Sequence, residues 1–286
     1  MKSFPIPVTA IGPGSQAEDE SLQYLSMPSD MAVFRRPLVP EAADFQALAQ
    51  VRAFLSRLIA AMREQPFGVP RFELGGLDPA AMELLNQTLG EGEVSIVVRA
   101  PRRLRIQETA FAGVWRVREL DDAGEIAADA IEVCPIPAAV IASARVFGET
   151  GLAPPAELAQ ETGTGLMNAP ALLAEIVDHA ARWRAGLPPH VINLTLLPVS
   201  PQDLDYLALA LGVGPSTILS RGYGNCRIAS TRLANVWRVQ YFNSMDKLIL
   251  DTIDVVDMPE VALAAPEDHE ESIERLQEWL ETLEAE

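Results

Sequence analysis

Cys226 is the residue whose type and setting make the strongest case for chemistry. It follows a turn that contains two glycines and an asparagine, and an arginine lies on each side. A thiol exposed beside backbone N–H groups and guanidinium groups is favoured as the reactive thiolate. The alternative is that Cys226 packs in a strand as a small hydrophobic residue. The candidate functional or partner-binding residues are therefore Arg221, Gly222, Tyr223, Gly224, Asn225, Cys226 and Arg227.

The rest of the sequence lacks the spacing of a catalytic or metal site. The three histidines are far apart and lie away from both cysteines, so no set of zinc ligands is predicted. A Walker loop, a dinucleotide fingerprint and a serine-nucleophile elbow are also missing from the sequence. We expect no catalytic residue, no metal and no cofactor, and hence a binding or assembly factor rather than an enzyme.

An internal repeat indicates which elements position the turn. The tetrapeptide Val-Trp-Arg-Val occurs at 114–117 and again at 236–239, an offset of 122 residues. The same offset relates the proline that starts and the glycine that ends a short helix in each half. Identity at such positions indicates an internal duplication. The pattern predicts an α+β fold of two tandem repeated α/β units, each a helix, a strand and a helix followed by antiparallel strands. Trp115 and Trp237 would be the structural anchors of the two cores.

An extended N-terminal arm and an acidic C-terminal helix flank the repeated units. Prolines exclude regular structure from the arm, although it carries many apolar residues. The C-terminal segment has leucines at helical spacing and acidic residues elsewhere, so we expect it to pack on its own domain, with docking of a partner as the alternative. The predicted divisions are an arm at 1–40, a first repeat domain at 41–140, a connector at 141–165, a second repeat domain at 166–262 and the acidic helix at 263–286.

Composition and charge limit the classes of partner. The net charge of −18 makes nucleic acid and anionic membranes unfavourable partners, because both require a basic surface. No stretch approaches the roughly 18 apolar residues that span a membrane, so membrane insertion is not expected. The N-terminus is a poor secretory signal, and two cysteines in 286 residues suit a reducing compartment. We therefore expect a cytoplasmic protein.

Three stretches of the sequence resemble the hydrogenase expression/formation proteins of the HupH, HyaF and HoxQ type. The run LSRGYGNCRIASTRLANVWRVQYF resembles the C-terminal signature of that family, and IGPGSQAEDESLQYLSMPSDMAVFRRP its N-terminal one. The segment GEGEVSIVVRAPRRLRIQETAFAGVWRV resembles the first of its two repeated domains. The resemblance extends over almost the whole chain.

The resemblance implies an accessory, chaperone-like protein in the maturation of a membrane-bound uptake [NiFe] hydrogenase. The implied partners are the iron–sulfur small-subunit precursor before its export and a thioredoxin-like accessory protein, with the large subunit as a further one. The family has no established enzymatic activity, so the resemblance carries none. The alternatives are a scaffold for large-subunit processing and a thiol-dependent oxidoreductase that uses Cys226. In the chaperone interpretation, Cys226 would protect or relay a thiol or a cluster.

Overall fold

The computed structural model describes residues 45–65, 67–68, 71–148, 165–221 and 225–285. These residues have the predicted α+β class, with six α-helices and ten strands. The helices are α1 (Phe45–Glu64), α2 (Pro79–Leu89), α3 (Ala138–Gly148), α4 (Ala169–Arg182), α5 (Pro201–Leu211) and α6 (Pro266–Ala285). The strands are β1 (Phe72–Glu73), β2 (Val94–Val98), β3 (Arg103–Glu108), β4 (Val114–Leu120), β5 (Ile126–Val133), β6 (His190–Asn193), β7 (Ser216–Ser220), β8 (Asn225–Ser230), β9 (Val236–Phe242) and β10 (Leu248–Val255). The predicted arm at 1–40 lies outside the described residues.

The ten described strands form one antiparallel sheet in the order β1-β5-β4-β3-β2-β7-β8-β9-β10-β6. Strands β2 and β7 join at its middle, where Ile96 lies opposite Ile218. These two residues are themselves related by the 122-residue offset. The junction is closed by a further related pair of bonds, from Arg99 N–H to the Pro215 carbonyl at 3.0 Å and from Arg221 N–H to the Glu93 carbonyl at 3.2 Å. Strands of both predicted domains therefore share a continuous sheet.

Helices cover the two faces of this sheet differently. Alternate residues of a strand point to opposite faces, so each strand contributes to both. On one face, α3 packs over the central strands in a shared core that contains both tryptophans. On the other face, α1, α2 and α6 cover the end that carries β4 and β5, and α4 and α5 cover the end that carries β9 and β10.

The short helices α2 and α5 begin and end where the sequence predicts. Asp78 accepts a hydrogen bond from Ala81 N–H at 2.7 Å, and Ser200 accepts one from Asp203 N–H at 3.1 Å. Both helices have proline in the first turn, and both end at a glycine with positive φ, 59° at Gly90 and 60° at Gly212. These local signals confirm the predicted helix limits.

Asp203 also connects α5 to the start of α4. Its carboxylate accepts hydrogen bonds from the backbone N–H groups of Ser200 at 2.9 Å, Met167 at 2.9 Å and Ala169 at 3.0 Å. Burial opposes ionisation of this group, but the hydrogen bonds outweigh it and lower the pKa of Asp203 to about 2. The two helices of this end are therefore joined by a charged, buried contact.

The segment predicted as a connector begins with a helix. Its glycines and prolines are concentrated after Gly148, whereas the preceding residues are rich in alanine and valine. Val140 and Ala144 of α3 are four residues apart and face the central core. Residues 149–164 of the predicted connector lie outside the described residues.

The acidic helix α6 packs against the first half of the chain, although it follows the second half in sequence. Leu276, Leu280 and Leu283 belong to the core formed by α1 and α2. Ser272 Oγ donates to the Ala112 carbonyl at 3.2 Å, and Ala264 N–H donates to the Pro135 carbonyl at 2.9 Å. The apolar spacing predicted the buried stripe, but the expectation of packing on its own domain does not hold for the adjacent second half, because the stripe packs on α1 and α2 of the first half.

The edge strands do not keep the 122-residue offset. Leu74 N–H donates to the Asp129 carbonyl and Leu194 N–H to the Asp251 carbonyl, both at 2.9 Å. Asp129 and Asp251 are 122 residues apart, whereas Leu74 and Leu194 are 120 apart. A gapless alignment of the two halves is therefore wrong at β1 and β6.

Candidate functional site

The predicted site lies at the β7–β8 turn, of which the structure describes the two ends. Arg221 follows β7 and is half-buried, and Asn225 begins β8. The Asn225 side chain donates from Nδ2 to Asp246 Oδ1 at 3.1 Å. Gly222, Tyr223 and Gly224 lie outside the described residues.

The neighbouring β9–β10 turn completes this end of the sheet. Asn243 N–H donates to the Lys247 carbonyl at 2.9 Å, and Asp246 has a positive φ of 57°. The Asn243 side chain accepts from Met245 N–H at 2.9 Å, which holds the turn and leaves the Met245 side chain 80% exposed. We call Arg221, Asn225, Met245 and Asp246 the turn surface.

Cys226 is buried in the central core and not exposed at the turn. Only 2% of the residue is accessible, and it lies between Ser220 on β7 and Tyr241 on β9. Burial raises the pKa of the Cys226 thiol to about 12, although a hydrogen bond with Tyr241 opposes this. The thiol is therefore protonated at neutral pH. This geometry agrees with the packing alternative and not with an exposed, thiolate-favouring site.

The second cysteine has a similar setting. Cys134 is half-buried, and burial followed by the charge of Glu132 raises the pKa of its thiol to about 12. Both cysteines are free thiols, and both pack in the central core. Neither has the electropositive, accessible setting that favours a reactive thiolate.

The two tryptophans occupy matching positions in the central core. Trp115 is 0% exposed and Trp237 is 1% exposed. Each indole donates to a backbone carbonyl, from Trp115 Nε1 to Cys134 at 2.9 Å and from Trp237 Nε1 to Asp257 at 3.1 Å. A buried indole needs such a partner, so the bonds fix how each ring is oriented in the core.

Arg227 points to the opposite face of the sheet from Cys226. It is 7% exposed, and its guanidinium lies 5.3 Å from the centre of the Phe242 ring. Burial lowers the pKa of Arg227, although the charge of Asp246 opposes this shift. The predicted residues are therefore divided, with Arg221 and Asn225 at the turn, Cys226 in the core and Arg227 on the second face.

This second face carries two ion pairs related by the 122-residue offset. Arg116 binds Asp129 through Nε at 2.9 Å and through a terminal nitrogen at 2.6 Å. Arg238 binds Asp251 in the same way, at 3.0 and 2.6 Å. Bidentate pairs of this kind fix strand register more than they provide an open binding surface.

Sequence reasoning missed a cluster of histidine and glutamate near β6. His179 on α4 stacks on His190 at the start of β6, with ring centres 3.4 Å apart and planes at 1°. The His190 Nε2 atom lies 2.8 Å from Glu175 Oε1. The available signal was the short helix-to-strand return between positions 179 and 190, which places residues of the helix beside the strand. The separation of the histidines in the sequence did not predict that two of them are in contact.

The described residues contain no helix that is both long and apolar enough to cross a membrane. This finding concerns the helices described above, of which the longest are α1 and α6, each of 20 residues. In α6 the acidic residues interrupt any apolar run.

Comparison with known proteins identifies relatives over nearly the full length. The chain is 48% identical over 98% of both chains to the hydrogenase expression/formation protein HoxQ of Cupriavidus necator. It is 44% identical to HupH of Rhodobacter capsulatus, over 99% of both chains. It is 33% identical to the hydrogenase-1 operon protein HyaF of Escherichia coli, over 94% of this chain and 95% of that protein.

A solved structure and a family profile give further matches. The hydrogenase expression protein HupH from Thiobacillus denitrificans aligns with a TM-score of 0.35 and 27% identity, over 37% of this chain and 87% of that one. The profile described as the HupH hydrogenase expression protein, C-terminal conserved region, matches residues 47–150 and 166–283. Since this match and the near full-length identities cover the described fold, the chain belongs to the HupH hydrogenase expression/formation protein family.

Proposed function

We propose that this protein is an accessory factor in hydrogenase formation that binds the iron–sulfur small-subunit precursor of an uptake [NiFe] hydrogenase in the cytoplasm, before export. The observation that carries the proposal is the 48% identity over 98% of the chain to a protein named for hydrogenase expression and formation. The small subunit, and a thioredoxin-like protein as a second partner, come from the family resemblance. A folded accessory protein can act by binding alone, which needs a surface and no catalytic group.

The turn surface is the proposed binding site for the small subunit. It combines an exposed apolar side chain, Met245, with the polar groups of Arg221, Asn225 and Asp246. Methionine is flexible and polarizable, and it suits surfaces that adapt to a partner. The corresponding turn of the first half has Ala123, Gly124 and Glu125 in place of Met245, Asp246 and Lys247. The second half therefore presents a contact that the first half lacks.

Binding explains the site better than thiol chemistry does. The thiol-dependent oxidoreductase alternative needs an accessible thiolate, whereas Cys226 is 2% exposed with a pKa raised to about 12 by burial. A scaffold for large-subunit processing would use the same kind of surface. The two binding alternatives differ only in which hydrogenase subunit the protein holds.

The deciding experiment is affinity purification of the tagged protein from cells that lack either the small or the large subunit. We expect the small-subunit precursor to co-purify when the large subunit is absent. Co-purification of the large subunit alone, unaffected by loss of the small one, would replace the proposal with the scaffold. The Met245→Glu variant should reduce the recovered small subunit at least tenfold, a loss of about 1.4 kcal/mol that is modest for a central interface residue.

The first half of the chain provides the matched control for this variant. Ala123→Glu places the same charge at the related, exposed position of the β4–β5 turn. We expect this variant to bind like the original protein. Equal losses in the two variants would indicate a general effect of charge and contradict the turn surface as the site.

We also propose that the two halves arose by duplication. Support comes from the shared Val-Trp-Arg-Val sequence, the related ion pairs and the junction at Ile96 and Ile218. A separately produced second half, residues 166–262, should associate with itself through the exposed β7 edge if β7 pairs like β2. Light scattering of that fragment measures its oligomeric state, and a well-folded monomer would contradict the equivalence of β7 and β2.

A further inference from the structure

Glu175, His179 and His190 form a compact cluster on the surface of the α4 and β6 region. One ligand-type atom of each residue lies within 4.8 Å of those of the other two. Glu175 and His179 are four residues apart on α4, which places them on the same side of the helix. His190 is the first residue of β6 and reaches the same place from the strand.

The donor set of this cluster is typical of a transition-metal site. Two imidazole nitrogens and one carboxylate oxygen suit zinc, nickel, cobalt or copper, and they are poor ligands for magnesium or calcium. Three protein ligands with water at a fourth position are the arrangement of an open zinc site. We propose that Glu175, His179 and His190 bind one divalent first-row transition-metal ion, for which Zn²⁺ is the representative. The proposal does not depend on the proposed function.

The cluster needs only side-chain movement to reach metal-binding geometry. Ligand atoms of a tetrahedral zinc site are about 3.3 Å apart, as follows from Zn–N distances near 2.0 Å. The ligand-type atoms all lie within 4.8 Å of one another, and the two rings are parallel, so their in-plane lone pairs do not yet converge. The His190 and Glu175 side chains are 31% and 44% exposed, which leaves them room to rotate. The ring planes must therefore tilt out of the stack when metal binds.

The other interpretation is a stacked histidine pair with one hydrogen bond to glutamate. That pair would stabilise the contact between α4 and β6 without any ion. The two interpretations differ in what happens to the rings when metal is added, and in how zinc binding responds when the glutamate is replaced by histidine. A variant that exchanges the glutamate for a third histidine separates a metal site from a damaged fold, because it is expected to gain zinc binding.

The experiment is calorimetric titration of the full-length protein with ZnCl₂, with MgCl₂ as the hard-ion comparison. We expect one zinc-binding event that His179→Ala and His190→Ala each weaken by more than the 10- to 100-fold typical of losing an outer-shell partner of a metal site. Glu175→His places a histidine four residues before His179 on the same side of α4, so the cluster has three imidazoles and should bind zinc more tightly. The His190 and His179 ring resonances should shift on zinc addition as the stack opens.

A nearby acidic residue supplies the matched control. Asp178 lies beside His179 in sequence but pairs with Arg182 at 2.7 Å, away from the cluster. The Asp178→Asn variant should bind zinc like the original protein. Zinc binding that is unchanged in both alanine variants would come from other acidic groups of this chain and would overturn the proposal. So would the absence of a zinc-binding event in a protein with unchanged circular dichroism.

Discussion

The N-terminal half of the sheet, β1–β5, and the C-terminal half, β6–β10, share a framework and differ in what is attached to it. Each half has a buried tryptophan that donates to a backbone carbonyl and an arginine that binds an aspartate on the next strand. Each also has a proline-started helix that ends at a glycine. The tryptophan and arginine contacts join different segments of each half and are largely buried, so they fix strand register and core orientation rather than a binding property.

The differences lie at the turns, in the helices and at single buried positions. The N-terminal half receives α6 as an additional helix, whereas the C-terminal half is covered by α4 and α5. Leu104 is related to Cys226, and Glu108 to Ser230. Properties peculiar to one half should therefore be sought where the framework is not shared.

The largest expected effect tests whether the halves are one folding unit. Trp115→Ala and Trp237→Ala should each lower the free energy of unfolding by about 3–5 kcal/mol, because each deletes a large buried ring and leaves a cavity. Both rings belong to the same core, so both variants should unfold in a single transition. Urea unfolding followed by far-UV circular dichroism and by fluorescence of the remaining tryptophans measures this.

A milder pair of variants keeps this test usable if the alanine proteins do not fold. Trp115→Phe and Trp237→Phe retain a ring but remove the N–H donor to the carbonyl of Cys134 or Asp257. We expect a loss of about 1–3 kcal/mol in each, with one transition. Two separate transitions within one variant, of which only that of the substituted half is shifted, would show that the halves unfold independently.

The second effect concerns the related ion pairs. Arg238→Met should cost about 3 kcal/mol, because it leaves Asp251, whose side chain is 5% exposed, with a long contact from Gln240 Nε2 at 3.4 Å. Arg116→Met should cost only about 1–2 kcal/mol, because Asp129 is 15% exposed and keeps Arg118 at 3.6 Å. Denaturant unfolding at neutral pH and moderate salt gives both values.

Arg118 is the control for this difference between the pairs. Arg118→Met alone should cost little, since Asp129 retains the bidentate contact with Arg116. The double variant Arg116→Met/Arg118→Met should approach the cost of Arg238→Met. Equal costs for Arg116→Met and Arg238→Met would mean that Arg118 does not compensate for the loss of Arg116. The halves would then be more alike than the contacts indicate.

Features set by neighbouring residues were predictable from the sequence. Asp78 and Ser200 with the prolines that follow them gave the starts of α2 and α5, and Gly90 and Gly212 gave their ends. The apolar spacing of α6 likewise predicted its buried stripe. These signals work because the physical cause, a backbone N–H group or an apolar face, lies within a few residues.

Features set by long-range packing were not predictable in this way. A glycine-rich turn beside arginines suggested an exposed Cys226, but β7 and β9 enclose the thiol on both sides. The glycine content suggested a connector where α3 covers the central core. His179 and His190 were separated in sequence, and the return from α4 to β6 brought them into contact. In each case the deciding neighbour belongs to another element.

The third effect tests a buried carboxyl group that has no counterpart at the related position of the C-terminal half. Burial raises the pKa of Glu108 to about 7 from 4.5; the Gly113 N–H opposes this, and Glu93 and Asp268 add to it. A folded-state pKa above the unfolded one gives stability that is complete below about pH 4.5 and is lost as the pH rises through 7. Glu108→Gln should therefore be more stable than the original protein by about 3 kcal/mol at pH 8 and equal to it at pH 4.

Unfolding in urea at these two pH values measures the difference, in which the other titrating groups cancel. The control is Glu125→Gln, which removes an exposed carboxylate from the same half and should change the stability little at either pH. A Glu108→Gln variant that is equally stable relative to the original at both pH values would contradict a raised pKa. Ser230, at the related position of the C-terminal half, does not titrate and should contribute no such dependence.

The smallest effect concerns Cys226, the position where the C-terminal half replaces a leucine. Cys226→Ala removes one buried sulfur and should cost about 1 kcal/mol, as deletion of a methyl-sized group does. The thiol is enclosed by the sheet, and burial raises its pKa to about 12. A chromogenic disulfide should therefore react with it only when the sheet opens. The reaction rate should depend on urea in the same way as local unfolding does. Cys226→Ser should support hydrogenase maturation in air at the original level, whereas Met245→Glu should not. A serine variant with unchanged stability and lost maturation would instead assign the thiol a chemical role and place the function of the C-terminal half in its core rather than at its turn.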